Sequence, residues 1–272
     1  MKDIKYISST GIVLDLLKPP YMLQTGDLFN YKWDYTSTNS KIKGFSKDVS
    51  EKSLTMSILN YSKSSYYAAI DKFFETVELD VLLESPGRLY IGEQFLRCYV
   101  IASDKTEWEN DIELLDNDIT LLTDHPYWIT EHPNYFKSSE ILSTNNKRYP
   151  GRYAYRYANG LTNSSITNEH YAECNFRMII YGPCTNPAIY VGGYGYLFKI
   201  VLEEGEYLEV DSAQQTVTKY MTSGIKVNAF NNRNFADSVF RPIQTGRQEV
   251  SWNGRFDFDL ILLEERSEPK WS

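Results

Sequence analysis

A chain of 272 residues that is 42% apolar and 15% aromatic can fill two cores of ordinary size, which excludes a disordered or fibrous protein. Its apolar runs are only a few residues long, so none reads as a membrane helix, and Ser8, Ser9 and Asp15 interrupt anything like the apolar part of a signal peptide. The net charge of −8 sits wholly in the first half: residues 1–135 hold 13 Lys+Arg against 21 Asp+Glu, while residues 136–272 hold 15 of each. That asymmetry argues for two unlike parts, and residues 104–124 alone carry eight acids against Lys105. Cys98, Cys174 and Cys184 form no C-x-x-C pair and leave one over if two bridge, which points to buried thiols in a reducing compartment.

In chain order, residues 5–8, 11–14 and 28–35 are short runs rich in apolar and aromatic side chains that read as strands. Residues 53–58 alternate, with Leu54, Met56 and Ile58 on one face and Ser53, Thr55 and Ser57 on the other. After Ser64 and Ser65, which suit a helix cap, Ala69, Ile70, Phe73, Phe74 and Val77 recur at helical spacing while Asp71, Lys72, Glu75 and Glu78 face out. This predicts the one convincing helix, ending near Asp80. Pro86-Gly87 then opens a hairpin of strands 88–91 and 94–103 about Gly92-Glu93. Two similar heptads, 109–115 and 116–122, place Ile112, Leu115, Ile119 and Leu122 at coiled-coil spacing. Two heptads are too few, so strands on either side of an Asp116-Asn117-Asp118 turn are preferred.

The second half is almost wholly β in pattern. Tyr153, Tyr155 and Tyr157 alternate, and a meander of four antiparallel strands follows: 177–181, 188–191 closed by Gly192-Gly193, a strand from Tyr194 with Tyr196, Phe198, Ile200 and Leu202 on its apolar face, and 207–211. Asn253-Gly254, a preferred type I′ pair, marks a final hairpin of 248–252 and 255–263, with Phe256, Phe258, Leu260 and Leu262 on one face. Many short strands with frequent turns indicate a β-sandwich, so the fold class is mainly β.

No catalytic, cofactor-binding or metal-binding residue is assigned. The histidines form no H-x-x-x-H pair, and His125 and His132 are each held in a loop by a following proline. Asp257 and Asp259 share a strand face and offer a carboxylate pair of the glycosidase kind, but alternation explains them as the wet face opposite Phe256 and Phe258. Asp116, Asp118 and Thr120 open like a calcium loop, yet Leu121 stands where the sharp-turn glycine belongs. Arg148, Tyr149, Arg152, Tyr153, Tyr155, Arg156 and Tyr157 interleave cations and rings as single-strand nucleic-acid binders do, without a basic surplus to support it.

Several stretches, spread in order along most of the chain, carry a family resemblance. They are Ser85-Pro86-Gly87-Arg88-Leu89-Tyr90 with the strand through Cys98, Trp108-Glu109-Asn110, Asp124-His125-Pro126-Tyr127-Trp128-Ile129, Ile180-Tyr181-Gly182-Pro183 with Asn186-Pro187, Gly205-Glu206-Tyr207-Leu208 with Asp211-Ser212, residues 228–233, and Arg266-Ser267-Glu268-Pro269-Lys270-Trp271. Together they resemble the distal tail proteins of long-tailed bacteriophages, the hub of the tail tip.

The resemblance implies an N-terminal β-rich domain with one helix, residues 1–137, that forms a ring of six, a linker at 138–147, and a C-terminal galectin-like β-sandwich at 148–272. It implies a structural protein of the virion tail tip, made and folded in the host cytoplasm, that joins the tail tube to the adsorption apparatus. The implied partners are further copies of the chain, the tail-tube protein, a tail-associated tip protein, and receptor-binding or baseplate proteins. DNA passes through the ring without specific binding, and neither a cofactor, nor enzymatic activity, nor membrane insertion is implied. On that plan the edge strands of 88–103 and the helix over 65–77 make the ring contacts, and the acidic segment 104–124 lies on the inner wall or rim. Sugar binding does not follow, because a galectin site needs His-x-Asn-x-Arg and residues 228–233 lack the histidine. The rival expectation is a carbohydrate-binding module or receptor-binding β-sandwich protein, with Trp252 as its stacking platform.

Overall fold

The computed structural model describes residues 3–60, 62–109, 114–138 and 162–271, with the backbone alone for 107–109 and 162–163. The fold is mainly β, with one α-helix among the described residues. The chain divides into two compact units, Met1–Thr130 with Glu265–Ser272, and Glu131–Glu264. The last residues therefore belong with the first unit, although their place in the sequence suggested the second. Trp271 stacks on Phe29 with ring centroids 4.2 Å apart, and the Lys270 N–H donates to Gln94 Oε1 at 2.6 Å. Apart from Ser138, the expected linker at 138–147 lies outside the described residues.

In the first unit, hydrogen-bonded neighbours run in the order Leu17–Lys18, Tyr21–Gly26, Ser50–Leu59, Leu114–Thr123, Gln94–Glu109, Gly87–Ile91, Ile4–Ile7, Val13–Asp15. The helix Lys63–Leu82 lays Tyr66, Ala69, Phe73 and Val77 onto Met56, Ile58, Leu96 and Cys98; of the stripe the spacing foretold, Ile70 and Phe74 are only partly buried beside it. Its cap is Ser62, whose Oγ accepts the Ser65 N–H, and neither Ser64 nor Ser65 fills that role. Near its other end the fully buried Asp80 accepts from the Tyr6 hydroxyl at 2.6 Å, the Ser9 N–H at 2.8 Å and the Ser9 hydroxyl at 2.6 Å. Gly87 lies so close that a Cβ there would meet Tyr6 Oη at 2.1 Å and Asp80 Oδ2 at 2.8 Å.

Asp116-Asn117-Asp118 is not a turn. It lies in the middle of Leu114–Thr123, where Asp116 accepts from the Ser57 hydroxyl and Asp118 from the Thr55 hydroxyl, each directly across the ladder. Cross-strand bonding of that kind holds the acids in extended backbone.

The second unit is a sandwich. One sheet runs Lys226–Asn228, Thr216–Tyr220, Tyr207–Asp211, Asn175–Tyr181, Phe258–Arg266; the other runs Thr162–Asn168, Gly246–Trp252, Ala188–Val191, Tyr194–Leu197. Met178, Ile180, Leu208 and Leu260 from the first and Ile189, Val191, Tyr196 and Val250 from the second share one core. The expected four-strand meander is therefore split. Asn175–Tyr181 pairs directly with Tyr207–Asp211, and the hairpin about Gly192 and Gly193 sits in the opposite sheet. The strand from Tyr194 breaks after Leu197, and Val201–Leu202 pairs with Cys184–Thr185 instead, yet Tyr196, Phe198, Ile200 and Leu202 all stay buried. Nor is there a terminal hairpin. Gly246–Trp252 pairs with Thr162–Asn168 and Ala188–Val191, Phe258–Arg266 pairs with Asn175–Tyr181, and of the two intended turn residues only Gly254 takes a positive φ. Gly246–Trp252 and Phe258–Arg266 lie in opposite sheets, with Phe256 and Phe258 in the core, so the chain crosses between sheets here rather than doubling back.

Candidate assembly surfaces

The surfaces expected to make ring contacts are largely taken up within the unit. Gly87–Ile91 lies between Ile4–Ile7 and residues 94–98, so it offers no open edge, while residues 99–109 of the long strand Gln94–Glu109 pair with Leu114–Thr123. The apolar stripe of the helix is spent on the core.

The exposed apolar surface of the first unit is elsewhere. Among the described residues Asp34–Thr38 and Lys41–Ser46 pair only with each other, about Asn39 and Ser40, whose φ values of 50° and 62° are those of a type I′ turn. The run 28–35, expected as one strand, is irregular up to Trp33. In the hairpin register Tyr35 faces Phe45 and Ser37 faces Ile42, so Tyr35, Ile42 and Phe45 share one face, and they are 66%, 59% and 64% exposed. The opposite face holds Thr36, Thr38 and Ser46. An isolated two-stranded hairpin is marginal in water, and one with a bare apolar face is a candidate interaction surface.

Two lysines fasten the root of this arm. The Lys47 ammonium lies 4.1 Å from the Tyr127 ring centroid, 4.9 Å from that of Trp33 and 5.6 Å from that of Tyr31, and it donates to the Pro126 carbonyl at 3.1 Å. Burial, with repulsion from Lys52, pushes its pKa down to about 8, while the three ring faces favour the charged form. Lys52 is buried and donates to the carbonyls of Asn30 at 2.6 Å and Asp27 at 3.3 Å.

A second surface is electrostatic. On the outward face of Ser50–Leu59, Leu114–Thr123 and Gln94–Glu109, Asp104 stands opposite Asp118, two residues from Asp116. Lys105 turns the other way, with its ammonium 4.2 Å from the Phe74 ring of the helix. The side chains of Glu107, Glu109, Asp111 and Glu113 lie outside the described residues.

No family model and no curated protein matches the chain. Among solved structures it is similar to a chain of the phage P2 baseplate in its activated conformation with calcium, with a TM-score of 0.64 and 14% identity over 99% of this chain and 100% of that one. The strontium form of that baseplate gives 0.63 and 14% over the same shares. The SPP1 Dit protein (gp 19.1), described as a paradigm of the hub adsorption apparatus in phages infecting Gram-positive bacteria, gives 0.56 and 7% over 97% and 99%. This chain has the fold of a phage tail hub protein.

Within the hub fold, the residues weighed for other chemistry have structural partners. Trp252 is 2% exposed, with its indole N–H donating to the Phe256 carbonyl at 3.1 Å and its ring edge-on to Phe136 and Phe258, so it is core and not a sugar platform. Asp257 accepts from the Ser138 N–H at 2.7 Å and from Lys137 at 3.3 Å, and the Ser138 N–H above all lowers its pKa. Asp259 accepts from the Tyr181 hydroxyl at 2.7 Å. His125 meets Glu265 at 2.9 Å, and His132, which lies in the strand Trp128–Phe136 rather than a loop, meets Glu264 at 3.0 Å. Over residues 228–233, Asn232 donates to the Lys199 carbonyl at 2.9 Å, and the Arg233 guanidinium packs 3.6 Å from the Phe230 ring while donating to the Phe230 carbonyl at 2.6 Å. No disulfide joins Cys98, Cys174 and Cys184; the first two are buried, and burial pushes the Cys98 thiol up to about 12. Arg148 to Tyr157 lie outside the described residues.

Proposed function

We propose that this protein is the structural hub of a phage or prophage tail tip, closing into a ring of six around the path of the DNA and joining the tail tube to the adsorption apparatus. The observation that carries the reading is the correspondence with hub and baseplate chains over nearly the whole length of both partners. The first unit, Met1–Thr130 with Glu265–Ser272, forms the ring, and the galectin-like sandwich of the second, Glu131–Glu264, meets receptor-binding or baseplate proteins. Ring closure needs two different complementary patches per subunit, and the bare arm supplies one. The face bearing Asp104, Asp116 and Asp118 suits a channel wall, since like charge keeps phosphates from sticking. The role is non-enzymatic, and the chain folds in the host cytoplasm before joining the virion. With Trp252 in the core and the galectin pattern broken, a carbohydrate-binding role loses the platform and the motif weighed for it.

Mixed with the tail-tube protein of the same virus and a tail-associated tip protein, the purified hub should cap tubes at one end in electron micrographs. Tubes that stay bare while the hub itself assembles would contradict the joining role.

A further inference from the structure

The C-terminal end of the helix Lys63–Leu82 is built against its own electrostatics. A helix C-terminus carries partial negative charge and favours cations, yet its last turn holds no basic residue, and Glu78 and Glu84 flank it, both exposed. Glu75, Glu78, Leu79, Leu82 and Leu83 fall at i, i+3, i+4 spacing on the side turned away from the core, and Leu82 and Leu83 are 73% and 54% exposed. The surface is thus an apolar stripe with an acidic border. The arm is its complement, with Tyr35, Ile42 and Phe45 on one face and the exposed Lys41 and Lys43 near its tip, where Lys41 stands on the opposite face with Thr38 and beside the turn. Among the described residues none of Lys41, Lys43, Glu78 and Glu84 has an ion-pair partner in its own chain.

We infer that the arm of one copy docks on the helix end of the next. Tyr35, Ile42 and Phe45 cover Leu79, Leu82 and Leu83, and Lys41 and Lys43 meet Glu78, Glu84 and the terminal helix carbonyls. Because Lys47 and Lys52 fasten the root, the partner is a second copy rather than the arm's own helix. Each subunit then carries two unlike, mutually complementary patches, as a closed ring requires. The inference rests on the hub reading and names the contact that reading needs.

Charge reversal tests it. The variant Lys41→Glu with Lys43→Glu and the variant Glu78→Lys with Glu84→Lys each set like charges against each other, so each alone should need about tenfold more protein to assemble. Mixed in equal amounts they should assemble as the parent does, since every arm then finds an opposite charge. A mixture that stays apart, or a single variant that assembles normally, overturns the docking. Independently, Ile42→Cys with Leu82→Cys should give copies linked end to end on oxidation, and copies that remain unlinked also count against it. A parent that never assembles removes the hub reading as well, whereas a parent that assembles beside an unrescued mixture removes only this contact.

Discussion

Replacing Trp252 with alanine should destabilise the second unit by about 4 kcal/mol, enough to unfold a sandwich of ordinary stability. The indole fills the core between Phe136 and Phe258, and its N–H is satisfied by the Phe256 carbonyl where the chain crosses from one sheet to the other. Alanine leaves a cavity in a region that cannot collapse, because strands on both sides are fixed by their ladders. Trp252→Phe keeps most of the volume and loses the hydrogen bond, so its cost should be roughly half. Denaturant unfolding measures both, and a loss under about 1 kcal/mol for alanine would place the ring at the surface, where a sugar platform needs it.

Asp80→Ala comes next in size, at about 3 kcal/mol in the first unit. The carboxylate gathers the Tyr6 hydroxyl and both donors of Ser9, tying the N-terminal strands to the last turn of the helix. Burial, the nearby Cys98 and the bond to Asp80 all raise the pKa of Tyr6, so its hydroxyl stays a donor at every ordinary pH. Without the acceptor, that buried donor is left unmade. Asp80→Asn keeps an acceptor oxygen but turns an NH2 group toward the Ser9 donors, and it should cost less than alanine. If alanine and parent unfold alike in urea, the bond network at Asp80 contributes nothing and the interpretation is wrong.

What could be read without the structure was whatever local periodicity decides. Ala69, Phe73 and Val77 announce the helix, and Leu54, Met56 and Ile58 announce a strand with one buried face, because side-chain direction follows directly from backbone period. Pairing is a different matter. Asn253-Gly254 signals that the chain turns, but which sheet receives the next strand depends on residues such as Phe256 finding room in a core assembled from distant segments. The same limit hid the arm. Tyr35, Ile42 and Phe45 look like core residues in a list, and only the pairing of Asp34–Thr38 and Lys41–Ser46 with no further strand among the described residues reveals that they stay exposed. The Asn39-Ser40 turn was the signal available. Trp252 erred in the opposite direction: its place at the end of a strand suited a surface platform until the sandwich closed over it.

Ring closure is decided most directly by the mass of the particle in solution across a range of concentrations. A closed hub of six copies gives a single species near six times the 31.6-kDa chain, with no larger forms at the highest concentration. A chain that stays at 31.6 kDa throughout, or that grows without limit into open polymers, contradicts it.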